Sequence, residues 1–427
     1  MSNPPRIKSV TVKGLFNQFD HHIDFNQEER ITILHGINGV GKTTLLRMIN
    51  SLFNFRIYSF NEIPFTSFIV ELSNGNHIRV EKRHHKTRNA LEIFINKERI
   101  NFQNLDIESL IKRLSWITKI EDDVFYDREK DEPLSLEEVM EQYGSLLGGM
   151  LSNKETVRNP DLITKIGQIP VQLIEASRLL RTVKRDEMHR RKEIITHTVK
   201  IYAAELHQRI RTVMADYAKK TQELEQTFPF RLLKSSEHYT SDQLNEHLVA
   251  LQNKRNQLRM IGLLPVTDSA VLDATSIDNL ESQHAAVMKL YVKDSEEKLA
   301  VLEGLSEKIM LLLQIINSKF QGKELRIDEK KGLVIIGKEG EIDPTLLSSG
   351  EQHELVMFYD LIFKVEPNTL VMIDEPELSL HVTWQNKFID ELKEIVEHSK
   401  FDVLIATHSP TIVGQNSHLM VGLGVNE

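Results

Sequence analysis

Cysteine is absent from all 427 residues. Its absence excludes disulfides, thiolate zinc sites and cysteine nucleophiles together, and a reducing, cytoplasmic setting is expected. Long apolar runs are missing too: the greasiest stretch, Met310 to Ile316, is far below the ~20 residues a spanning helix needs. The opening MSNPPRIKSV has no apolar block of signal-peptide length, so no membrane association is expected. Nor is there an excess of positive charge. With 53 Lys and Arg against 62 Asp and Glu, the net charge is −9, and nucleic acid could be drawn only by local patches. Low-complexity tracts and internal repeats are lacking. What is present, 40% hydrophobic and 27% charged residues, makes an ordinary globular chain with a real core, long enough for two or three modules.

Residues 6–12 and 30–35 have strand patterns, and the second leads through a glycine-rich turn into TTLLRMINSLF, a helical pattern. Short strand-like pieces with Asn-Gly and Lys-Thr-Arg-Asn turn signals follow from 65 to 102, the mark of a small antiparallel lobe. Residues 103–168 look helical and acidic. After a strand at Val171–Ile174, helix formers run from Ala176 to Gln226 until Pro229, a span of roughly 75 Å at the standard rise. A second stretch, 276–318, spaces Met288, Val292, Leu299, Leu302, Ile309, Leu313 and Ile316 in a 4-3 register. Two such stripes pack either as an antiparallel arm, with a shorter helix near 242–260 at its tip, or as a compact bundle without reach. Strand patterns resume at 324–337, 369–374 and 401–406, alternating with helices from 350 and over 381–398. The reading is an α/β head, a mixed sheet flanked by helices plus the antiparallel lobe. Its halves, 1–172 and 321–427, are separated by a coiled-coil-like helical insertion over 173–320.

Gly36-Ile37-Asn38-Gly39-Val40-Gly41-Lys42-Thr43 is a phosphate-loop pattern, set after a strand and before a helix as its mechanism requires. Gly36, Gly39 and Gly41 let backbone N–H groups turn inward past Asn38, and the helix start at Thr43 and Thr44 adds its positive end. Lys42 reaches outer phosphates, and Thr43 offers a hydroxyl to Mg²⁺. The strand Leu370–Ile373 delivers Asp374 and Glu375 to the sheet's carboxyl edge, Asp374 for the magnesium shell and Glu375 as general base. Ser348-Ser349-Gly350-Glu351 opens a helix, a second anion site or simply a cap. His408 follows the last strand.

Leu347-Ser348-Ser349-Gly350-Glu351-Gln352 resembles the signature motif of ABC ATPases, Pro376 to His381 resembles their D-loop, and His408 their γ-phosphate-sensing switch histidine. The wording LSSGEQHEL, IDEPELSLH, Trp384-Gln385 and ATHSP is similar to that of RecF/SMC-like ATPases of the overcoming-lysogenization-defect (OLD) type, found also in antiphage systems such as Septu, PARIS and some retrons. The likeness is strong over 1–60 and 321–427. It implies ATP and Mg²⁺ as cofactors and a homodimer, or a higher even-numbered homo-oligomer, closed across two ATP molecules. It also implies that Ser349 and Gly350 act on the partner's nucleotide, and a role as sensor and scaffold for a separate effector, a nuclease or toxin. Two features depart from the pattern. Ser349 stands where many ABC proteins have glycine, and Gln172 lies in the right neighbourhood for the Q-loop metal contact yet also reads as a strand residue. OLD nucleases carry a TOPRIM domain, for which the 19 residues after His408 are too few, so this chain is not expected to cut nucleic acid.

Basic clusters at 77–88 and at Arg178, Arg181, Lys184, Arg185, Arg190, Arg191 and Lys192 could each follow a phosphate backbone or be a solvated face. Two alternatives to the sensor reading therefore stay open. One is a DNA-repair or chromosome-maintenance ATPase that holds DNA directly, and the other an interaction protein that uses ATP as structural glue.

Overall fold

The computed structural model describes residues 4–54, 56–84, 89–100, 114, 116–121, 124–128, 132–135, 139, 169–174, 179–187, 190–234, 240–265, 282–378 and 380–423. The chain begins with β1 (Ile7–Leu15), β2 (Phe19–Asp24) and β3 (Ile31–His35), enters helix α1 (Lys42–Phe53), and returns through β4 (Ser67–Leu72), β5 (His77–His84), β6 (Asn89–Ile95) and β7 (Glu98–Ile100). Three short strands, β8 (Ile117–Glu121), β9 (Val124–Asp127) and β10 (Glu132–Ser135), pair antiparallel where helix was expected. Ile117, Thr118, Val124, Phe125 and Tyr126 are β-branched or aromatic, and they outweigh the acidic helix formers around them. The rest of the expected 103–168 helix, apart from single positions, lies outside the described residues.

β11 (Val171–Ile174) is followed by β12 (Leu180–Glu187) and β13 (Arg190–His197), an antiparallel hairpin. This corrects the long helix expected from Ala176. The register sets Lys184 opposite Glu193, Asp186 opposite Arg191 and Glu187 opposite Arg190, with Arg185 opposite Lys192 the like-charged exception, so residues that read as helix formers pair mostly opposite in sign across two strands. Helix α2 (Thr198–Lys234) begins only then and continues past Pro229. Helices α3 (Ser241–Met260) and α4 (Ser282–Asn317) complete the insertion. The pairs Lys220–Glu297 at 2.9 Å and Arg231–Asp294 show that α2 and α4 run antiparallel. His247–Glu296 and Lys254–Glu303 share one offset, so α3 lies alongside α4 in the same direction. Helix α3 is thus a third member of the bundle and not a tip: its end carries Leu258, Ile261 and Leu263 into the core that holds Leu302 and Ile309.

The carboxyl-terminal part comprises β14 (Lys323–Asp328), β15 (Gly332–Gly337), β16 (Gly340–Ile342), α5 (Ser349–Tyr359), β17 (Leu370–Asp374), α6 (Val382–Gln385), α7 (Phe388–Ser399), β18 (Asp402–Thr407), α8 (Pro410–Val413) and β19 (Met420–Gly422). The helix expected over 381–398 is therefore two helices. A five-stranded, all-parallel sheet runs β11-β17-β18-β3-β19, and a six-stranded antiparallel sheet runs β2-β1-β4-β5-β6-β7. Alternation along the parallel strands sends Leu34, Leu370, Met372, Leu404 and Ala406 to the core shared with α1 and the antiparallel sheet. Ile31, Ile33, Val371, Ile373, Val403 and Ile405 go to the core shared with α5, α7 and the inserted helices. Both faces are covered, which is why these strands read as unbroken apolar runs. This is the α/β head flanked by helices that the sequence predicts, with its parallel and antiparallel strands divided between two sheets.

The base of α2 is gripped by the β14–β15 hairpin. Gly332 has φ +77°, and a Cβ there would lie 2.0 Å from the Ala203 carbonyl oxygen, while His207 Nδ1 meets the Glu329 carbonyl at 2.7 Å. A Gly332→Ala substitution is expected to cost at least ~1–3 kcal/mol from the left-handed backbone alone. The backbone clash adds to that, and a denaturant melt measures the total.

Candidate active site

The order β17-β18-β3 brings three strand ends side by side: Asp374 pairs with Ala406, and Thr407 with His35. The phosphate loop leaves β3 and enters α1 through Gly41, whose φ of +102° disfavours any side chain and where a Cβ would lie 2.5 Å from Leu15 Cδ2. Lys42 is buried and donates to the carbonyls of Gly36 and Ile37 at 2.8 and 3.2 Å, so its ammonium is held inside the loop. Thr43 Oγ1 donates to Asp374 Oδ1 at 3.2 Å. A hydroxyl and a carboxylate at hydrogen-bond distance beside a phosphate loop fit the hard, oxygen-rich shell of Mg²⁺. The loop itself, with its glycine bend and enclosed lysine, fits a polyphosphate.

Glu375 leaves β17 with φ +44°, a conformation that costs a non-glycine residue ~1–3 kcal/mol and recurs at functional sites. Its N–H donates to the Ala406 carbonyl at 2.9 Å, tying the turn to β18. His408 Nδ1 lies 3.6 Å from Glu375 Oε1 and 3.0 Å from Glu377 Oε1. Glu377 carries no signal in the sequence beyond its place in the D-loop-like string, because its first partner, Thr407, lies at a strand end 30 residues later. Gln385 is buried, donates to the carbonyls of Glu377 and Leu380 at 3.4 and 3.3 Å, and accepts from Ser409 Oγ at 3.1 Å. The 376–385 segment and the His408 loop are therefore one braced unit.

Ser348 caps α5 in a capping box with Glu351: the Ser348 N–H and hydroxyl donate to Glu351 Oε2 at 3.0 and 2.8 Å. Burial opposes ionisation of Glu351, but the Lys323 ammonium at 2.8 Å and the Ser348 donors outweigh it and hold the carboxyl below its usual range. The structure thus commits Glu351 to the cap. Ser348 and Ser349 are exposed, and a Cβ at Gly350 would lie 4.0 Å from the Trp384 ring. Helix α5 packs on α2 and α4, on the sheet face opposite α1, so this helix start is not brought to its own chain's phosphate loop. Gln172 is not at the edge either. Strand β11 pairs it with Val371, three residues before Asp374, and residues 175–178 lie outside the described part. The side chains of the 178–192 basic cluster also lie outside it. No helix among the described residues is long and apolar enough to cross a membrane.

A family model described as an AAA ATPase domain matches residues 6–413. None of the curated proteins matches the chain. Similar solved structures include the Smc head domain of Pyrococcus furiosus with an extended coiled coil, bound to the C-terminal domain of ScpA. It is 13% identical, covers 99% of this chain and 94% of its own, and has a TM-score of 0.40. The SMC head domain of Thermotoga maritima is 13% identical, with 98% and 94% covered and a TM-score of 0.38.

Proposed function

On the premise that the chain belongs to the AAA ATPase domain family, we propose that it binds and hydrolyses ATP as a dimer of heads, each site completed by the other copy. The observation that carries this reading is the division of the site within one chain. Lys42, Thr43, Asp374, Glu375 and His408 gather at one sheet edge, while the exposed start of α5 belongs to a helix packed on the sheet face opposite α1. Bound Mg²⁺ would neutralise charge on the phosphate oxygens, with Thr43 and Asp374 as the residues that hold it. Lys42 binds the outer phosphates, Glu375 takes the proton of the attacking water, and His408 orients against the terminal phosphate. Ser349 and Gly350 of the second copy close the pocket, so nucleotide binding and head closure are linked.

Mixing two inactive variants tests the shared site. Lys42→Ala and Ser349→Arg are each expected to lack turnover, while an equal mixture recovers about a quarter of the wild-type rate, since half the pairs then hold one intact site. No recovery on mixing would refute the shared site.

The finer reading is a sensor and scaffold for a separate effector, nuclease or toxin, in antiphage defence, and it rests on the LSSGEQHEL, IDEPELSLH and ATHSP strings. Glu375→Gln protein purified with Mg-ATP from its native cells tests it by mass spectrometry and nucleic-acid extraction. A stoichiometric nuclease or toxin-like protein supports it. DNA with no protein partner replaces it with a repair or chromosome-maintenance role, and the hairpin at 180–197 is then the first contact to mutate.

A further inference from the structure

Glu377 is an unusual carboxylate for a loop on a proposed dimer seam. Its side chain is only 7% exposed, and burying a carboxylate costs several kcal/mol unless it is paired. One oxygen, Oε1, accepts from the Thr407 hydroxyl at 2.8 Å and the His408 backbone N–H at 2.9 Å, and faces His408 Nδ1 across an ion-pair distance of 3.0 Å. The other, Oε2, is buried with no partner. All three groups belong to Thr407, which ends β18, and His408, which follows it. The carboxylate therefore fixes the backbone of the loop that carries the histidine as well as its ring. A carboxylate offers no hydrogen, so a hydrogen on the facing Nδ1 is favoured, and Nε2 is the nitrogen left for the site. Glu375 is the more distant neighbour of Nδ1, at 3.6 Å, and so stays free for the water.

We infer that Glu377 is a positioning residue for ATP hydrolysis: it sets the rotamer and tautomer of His408 so that Nε2 points at the terminal phosphate, while Gln385 holds the Glu377 backbone in place. The inference rests on the ATPase reading and on the role given there to His408. A histidine–carboxylate pair of this kind fixes ring orientation in advance, and misplacement of such a group by about an ångström costs on the order of 10²-fold in rate.

The test is a double-mutant cycle on the full chain with Glu377→Ala and His408→Ala, reading kcat and ATP affinity together. Glu377→Ala is expected to lower kcat ~10²-fold with ATP affinity within about twofold, and to cost nothing further once His408 is already alanine. Glu377→Gln, which keeps the accepting oxygen, is expected to restore most of the rate. An equal loss in both histidine backgrounds, or no loss in either, overturns the proposal while leaving the ATPase reading intact. An unchanged rate in His408→Ala alone overturns the histidine's role and the proposal with it. Should Glu377→Ala fail to fold, ¹⁵N-histidine NMR of the wild-type protein decides: a hydrogen on Nδ1 of His408 supports the assignment, and one on Nε2 alone overturns it.

Discussion

Glu375→Gln is expected to lose at least ~100-fold in ATP turnover, the scale of a removed general base, while Mg-ATP binding is retained. The two halves of that expectation come from different atoms. Binding is carried by Lys42 inside its loop and by the Thr43–Asp374 pair, and the proton of the water is taken by the separate carboxylate of Glu375. The amide keeps the shape and the unbranched stem, so the turn at φ +44° and its bond to Ala406 are undisturbed. What is lost is proton acceptance. Turnover and nucleotide affinity measured on the same preparation check this. Near-normal hydrolysis would remove Glu375 from its role, and loss of binding would mean that the strained turn needs the charge. A wild-type rate no higher than that of the variant would make ATP a structural glue.

The site was legible to the extent that it is local in sequence. A phosphate loop needs eight consecutive residues, a carboxylate pair needs the strand before it, and a helix cap needs Ser348 and Glu351 three apart, so these readings required no tertiary knowledge. The parallel strands announced themselves because both faces are buried. Two kinds of feature escaped. The β12–β13 hairpin reads as helix because Lys, Arg and Glu are good helix formers, and the mostly opposite-sign pairing across its strands appears only once the register is known. Likewise α3 was read as a tip, although its direction is set by pairs such as His247–Glu296, 49 residues apart. The second kind is assembled across the chain: Glu377 with Thr407 and His408, and Lys319 with Glu354 and Glu391. No window of sequence contains such partners, and each looks like an ordinary surface charge until the fold removes it from water.

That last cluster carries the second large expectation: Lys319→Met should destabilise the protein by ~3–5 kcal/mol, the penalty for leaving a buried charge without its partner. Lys319 lies just beyond α4, Glu354 on α5 and Glu391 on α7, and the ammonium sits 3.2 and 2.8 Å from the two carboxylates and 4.7 Å from the centre of the Phe358 ring. One cation serves two acids. Burial pushes Glu354 up to about 7 against the pull of Lys319, and burial likewise raises Glu391. Because the folded value of Glu354 exceeds the ordinary 4.5, the folded state holds the proton more tightly than the unfolded chain. Its contribution is therefore fully present below about 4.5 and is lost as pH rises through about 7. Without Lys319 both carboxyls are driven higher still, so the loss should be largest near pH 8 and shrink toward pH 5.5, as denaturant melts at the two values would show. An equal loss at both would mean that the lysine acts by packing alone. Replacing all three residues with apolar ones of similar size should recover most of the stability. Such a variant would then reveal what the ions do for activity: the cluster joins the end of an inserted helix to the helix that opens at Ser348–Gly350, and a stable but slow protein would place the arm's influence on ATP turnover at this junction.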